Sequence, residues 1–158
     1  MTGNAADDQE RLFRALGWLV ASSASLELLV FHNMVSRAGV PMTTAKVLMG
    51  TDGFDTTLSR LDRLVSATLP KEVERDFKAW CSDARTAMAE RGRFVHATWL
   101  VPGREGKGLD RLERDRLPVA GIKATAMEVK EIEALAQRFD GLSDRLGRMA
   151  SALRVLAE

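Results

Sequence analysis

Residues 11–39 read RLFRALGWLVASSASLELLVFHNMVSRAG. Leu12, Leu16, Leu19, Ser23, Leu26, Val30 and Met34 follow one another at three- or four-residue steps, the period that lines one face of an α-helix. Asp7, Asp8 and Glu10 precede the stripe, where the helix dipole favours anions, and Arg37 falls in what would be the last turn. Gly39 and Pro41 then stop the pattern, so the spacing predicts a helix over about residues 7–38. Phe13, Val20, Leu29 and Phe31 carry apolar surface beyond the inner face. A helix apolar on so much of its circumference is either central or lies between a core and a partner chain.

Working outward, a short helix is predicted over about residues 43–49, followed by a break at GTDG. A third helix carries Leu58, Leu61, Leu64 and Val65 inward, with Asp55 or a neighbouring threonine as its cap. Pro70 suits the first turn of a long helix reaching about Thr98. Its inner stripe is Val73, Phe77, Trp80, Ala84 and Ala87, and Arg91 continues it, an uncommon place for a guanidinium. Over residues 101–118, VPGREGKGLDRLERDRLP, the periodicity fails; the segment reads as a mobile loop with at most a short hairpin at its base. The last helix is predicted to open at a capping box, Thr125 and Glu128. Its stripe runs through Ile132, Leu135, Phe139, Leu142, Leu146 and Met149. No alternating strand run is seen. The expected fold is all-α: a single up-and-down bundle of four to five helices over residues 1–158, with residues 1–6 a disordered tail.

Composition narrows the function classes. Apolar residues make up 46% of the chain, enough for a real core, and a net charge of +1 argues against a broad electrostatic grip on nucleic acid. Cys81 is the single cysteine, which excludes an intramolecular disulfide. The polar opening MTGNAADDQER does not read as a secretory leader, and the apolar stretch 16–35 is broken by serines, Glu27, His32 and Asn33. The expectation is a cytoplasmic protein with no membrane span. With His32 and His96 as the only histidines and no ligand spacing between them, no metal is expected. GREGKG lacks the spacer and the hydroxyl residue of a phosphate loop, and no nucleophile elbow surrounds the serines, so no cofactor is expected either.

The remaining chemistry lies in ERGRFVHATW, residues 90–99. Arg91 is a permanent cation, and His96 can trade protons near neutral pH. On an ideal helix they point about 140° apart. Arg93 lies closer to His96 in direction. Glu27, in the apolar context SLELLVF, is read in two ways: an edge carboxylate that reaches water, or a half-buried acid paired with Arg91 or His96. Without a site, Arg91 would brace the bundle through an ion pair, and His96 would be a half-exposed helix-end residue. His32 reads as a structural residue on the flank of the first helix.

A bundle with a glutamate on its long first helix, and Arg91 followed by His96 late in another, resembles the HEPN superfamily. That family's frequent motif is R-N-x-x-x-H, often followed by a small residue and an aromatic. Here it runs Arg91, Gly92, Arg93, Phe94, Val95, His96, then Ala97, Thr98 and Trp99; Gly92 stands where the family has asparagine. The resemblance implies metal-independent RNA cleavage, often in toxin–antitoxin or antiviral defence systems, at a site formed between two protomers. Arg91 and His96 would be catalytic, with Glu27 and Arg93 supporting. It also implies a homodimer with RNA and an antitoxin or other protein as partners. The alternative is a non-catalytic helical dimer that binds a protein or nucleotide.

Overall fold

The computed structural model describes residues 5–96, 98–100, 109–113 and 123–155. Among them are five helices: α1 (Ala5–Ala38), α2 (Met42–Met49), α3 (Phe54–Thr68), α4 (Lys71–Val95) and α5 (Val129–Val155). The class is an all-α helical bundle. The α1 stripe enters the core as its spacing requires, with Leu12, Leu19, Leu26 and Val30 fully buried. It meets Leu58, Leu61 and Val65 of α3, Phe77, Trp80 and Ala84 of α4, and Ile132, Phe139 and Leu142 of α5 in one apolar cluster. Gly39 closes α1 at a φ of 65°, a left-handed conformation that glycine adopts without strain.

Polar contacts fix the helix directions. Arg11 pairs with Glu133 at 3.2 Å and Trp18 Nε1 donates to Asp140 at 3.0 Å, so α1 and α5 run in the same sense. Arg138 pairs with Glu90 at 2.8 Å and Arg145 with Asp83 at 2.9 Å, across an antiparallel α4–α5 contact. Arg85 reaches Asp55 at 2.7 Å from the opposite end of an antiparallel α3–α4 pair. The short α2 returns the chain, and α3 then runs in the same sense as α1. Glu27 and Phe31 of α1 share a cavity with Phe54 and Thr57 of α3, and Arg37 lies near Leu61 further along. Residues 9–38 are long and apolar enough to cross a membrane by length and composition, yet the inner face of this helix is committed to the bundle core.

Three expectations about element ends are corrected. The long helix α4 stops at Val95 rather than about Thr98, because Thr98–Leu100 forms strand β1. β1 pairs with β2 (Leu109–Glu113), which pairs with β3 (Lys123–Met127), all antiparallel and in chain order. Thr98 and Trp99 favour an extended, paired backbone over another helical turn. Thr125 sits in β3 opposite Arg111 and therefore caps nothing; α5 opens after Glu128 instead. The sheet went unseen because β2, LDRLE, shows no apolar alternation, and the alternation of β3, KATAM, rests on two small alanines. Asp55 is not the α3 cap: Gly53 holds that position without a side-chain bond, and Asp55 is drawn to Arg85. Residues 1–4, 101–108 and 114–118, where most of the tail and loop expectations fall, lie outside the described residues; Ala5 and Ala6 already belong to α1.

Candidate functional site

The last turns of α4 carry the candidate pair. Phe94, nearly buried, pins this end of the helix to the core, and Val95 is half-buried beside it. Arg91 lies three and four residues before them, on the same side of the helix. Its side chain is half-buried; Nε is closed off from solvent and has no hydrogen-bond partner. An orphaned buried donor costs about 1–3 kcal/mol, a cost that turning the side chain outward to an acceptor would remove. Among the described residues Arg91 makes no ion pair, so it does not brace the bundle through a salt bridge.

His96 is the C-cap of α4; its backbone N–H donates to the Gly92 carbonyl at 3.2 Å while its ring stands in solvent. Arg93 is exposed in the same last turn. Arg91 and His96 thus occupy one helix end, separated by about 7.5 Å along the axis, one on the inner side and one on the outer. No hydrogen bond joins them. A Cβ built at Gly92 would meet nothing within 4 Å, so the backbone between the pair has room for a side chain.

Glu27 sits elsewhere. It lines a cavity of about 560 Å³ between α1, α2 and α3, together with Phe31, Lys46, Met49, Asp52 and Phe54. None of Arg91, Arg93 and His96 contributes to its walls. Glu27 is half-buried and forms no hydrogen bond or ion pair with Arg91 or His96 among the described residues, so within one chain the structure does not pair them. His32 is exposed and meets Phe31 edge-on, with ring centroids 6.4 Å apart.

Two polar features escaped the sequence. Glu74, buried on α4, accepts from Lys71 at 2.8 Å and Lys78 at 2.7 Å; these ammonium groups hold its pKa down at about 2. The spacing Lys-x-x-Glu-x-x-x-Lys was there to be read, but nothing in it marked Glu74 as buried. Cys81 is buried against α3, and desolvation, with Asp62 nearby, pushes its thiol up to about 12, which makes it unreactive. Among the described residues no group of three or more His, Cys, Asp or Glu converges as a metal site. No protein-family model matches the chain, and no curated protein or solved structure is significantly similar to it.

Proposed function

We propose that this chain is a HEPN-like, metal-independent endoribonuclease of the cytoplasm, of the kind found in toxin–antitoxin or defence systems. The observation that carries the reading is the α4 end: a guanidinium with an orphaned, enclosed Nε and, one turn later, a histidine open to solvent. In this reading His96 takes the proton of a ribose 2′-hydroxyl as that oxygen attacks the adjacent phosphorus. The bond from phosphorus to the 5′ oxygen breaks, and the same histidine of a second copy, in its protonated form, supplies the leaving oxygen's proton. The products are a 2′,3′-cyclic phosphate and a 5′-hydroxyl. Arg91 swings its long side chain to the phosphate and holds the charge that develops there. Arg93 adds positive charge at the approach.

A homodimer fits this reading, and α1 offers the surface for it. Phe13, Gly17, Val20, Ala24 and Leu28 form a second apolar line along α1, exposed to solvent. Phe13 is 60% exposed and Leu28 58%. The line is self-complementary about Val20: in an antiparallel pairing with itself Phe13 opposes Leu28, and Gly17 opposes Ala24. Self-complementarity is the requirement of a two-fold interface, and the small residues at its middle permit close approach. The same line favours the second reading, a non-catalytic dimer that binds a protein or nucleotide, because Gly92 removes the family's amide while leaving the dimer surface intact. RNA incubated with purified protein in the presence of a chelator separates the two readings.

A further inference from the structure

The cavity between α1, α2 and α3 is built from complementary parts. The Phe54 ring at the start of α3 and the Phe31 ring on α1 both line it, with Met49 adding apolar wall. Two side-chain charges remain for a ligand. Asp52 Oδ2 is enclosed and lies 2.6 Å from Arg60 Nη1, out of hydrogen-bond geometry, so its charge is countered there and it does not face a ligand. Glu27 has no partner among the described residues, and Lys46 stands exposed on α2. The cavity is open to solvent on one side, and its volume of about 560 Å³ is in the range of small-ligand sites.

The two free charges select the ligand. A simple cation would suit Glu27 but be repelled by Lys46, and a simple anion the reverse. The aromatic rings favour a flat group, since stacking on phenylalanine is open to any base. An ionised carboxylate only accepts hydrogen bonds, and it presents two oxygens side by side. Guanine is the base whose Watson–Crick edge offers two adjacent donors, the ring N1–H and the 2-amino group. Adenine and cytosine place an acceptor beside their amino group, and uracil has a single donor there. A phosphate attached to the base would satisfy Lys46.

We propose that this cavity is a guanine subsite: Glu27 reads the N1–H and 2-amino edge, Phe31 and Phe54 flank the base, and Lys46 meets the phosphate. The inference deepens the ribonuclease reading, on which it rests for its biological meaning, by assigning a base preference to the RNA. Its test does not depend on cleavage. Calorimetric titration of the full chain with GMP, IMP and AMP should give the order GMP, then IMP, then AMP. Loss of the 2-amino donor in IMP should weaken binding about 10-fold, since one hydrogen bond to a charged group is at stake. Glu27→Gln should abolish the preference for GMP over AMP. Lys46→Ala should remove the advantage of GMP over guanosine, and both variants should keep the parent's helical circular dichroism. Equal affinity for GMP and AMP, no GMP binding at millimolar concentration, or a Glu27→Gln variant that keeps the preference would overturn the subsite. RNA cleavage without GMP binding would sink the subsite alone, and GMP binding without cleavage would sink the ribonuclease reading alone.

Discussion

The indole Nε1 of Trp80 donates to the main-chain oxygen of Leu142 at 3.0 Å, and both residues are buried. Trp80 also stacks on Phe77, with ring centroids 5.4 Å apart, so one side chain ties α4 to α5 and fills the centre of the bundle. Trp80→Ala should lower unfolding stability by about 3–5 kcal/mol through the cavity it leaves. Trp80→Phe should cost less, because it keeps most of the apolar volume and loses the hydrogen bond. Urea titration followed by circular dichroism measures both; a Trp80→Ala loss below 1 kcal/mol would contradict this account of the core.

Glu74 supplies a pH signature. Its carboxyl titrates at about 2 in the fold against an ordinary 4.5, with hydrogen bonds from Lys71, Lys78 and Ser66 as the causes. A depressed pKa means that the folded state favours the charged form. The contribution is therefore complete above 4.5 and is lost as pH falls from there through about 2. The melting temperature of the parent should drop across that window, and Glu74→Gln should flatten this part of the profile. Superimposable profiles for the two proteins would remove Glu74 from the explanation.

The helices were legible because apolar spacing is set by the core each helix must face. Leu12, Leu19, Phe77, Trp80, Ile132 and Phe139 all lie where their stripes put them. Strand β2, LDRLE, was not legible: its pairing with β1 and β3 depends on main-chain hydrogen bonds, which side-chain type hardly records. At the candidate site the sequence located the enclosed Arg91, because that position continues the α4 stripe. It named Glu27 but not its surroundings, which depend on how α2 folds back beside α1. No periodicity within one helix carries that information.

The second apolar line on α1 leads to a dimer prediction. Light scattering of the parent at micromolar concentration should give twice the monomer mass. Leu28→Glu and Phe13→Glu each place a charge at one end of the line. Each should shift the protein to monomer while leaving its helical circular dichroism unchanged, since both side chains are exposed in the isolated fold. A parent that runs as a monomer would contradict the self-complementary pairing.

Gly92 offers a gain-of-function test. A Cβ there meets nothing within 4 Å, and α4 is helical at this point, so Gly92→Asn should fold and gain at most a few tenths of a kcal/mol from helix propensity. If the amide orients Arg91 or His96, cleavage of single-stranded RNA should rise. An unchanged rate in a folded Gly92→Asn variant would mean that the amide plays no part in this chain.

The most direct test is RNA cleavage by the purified parent in excess chelator, beside Arg91→Ala and His96→Ala. The account predicts that the parent cuts RNA to 2′,3′-cyclic phosphate and 5′-hydroxyl ends. His96→Ala should lose about 10²–10⁴-fold in rate, and Arg91→Ala about 10²–10³-fold, with both variants folded. A parent that leaves RNA intact, or alanine variants that cut as fast as the parent, would contradict it.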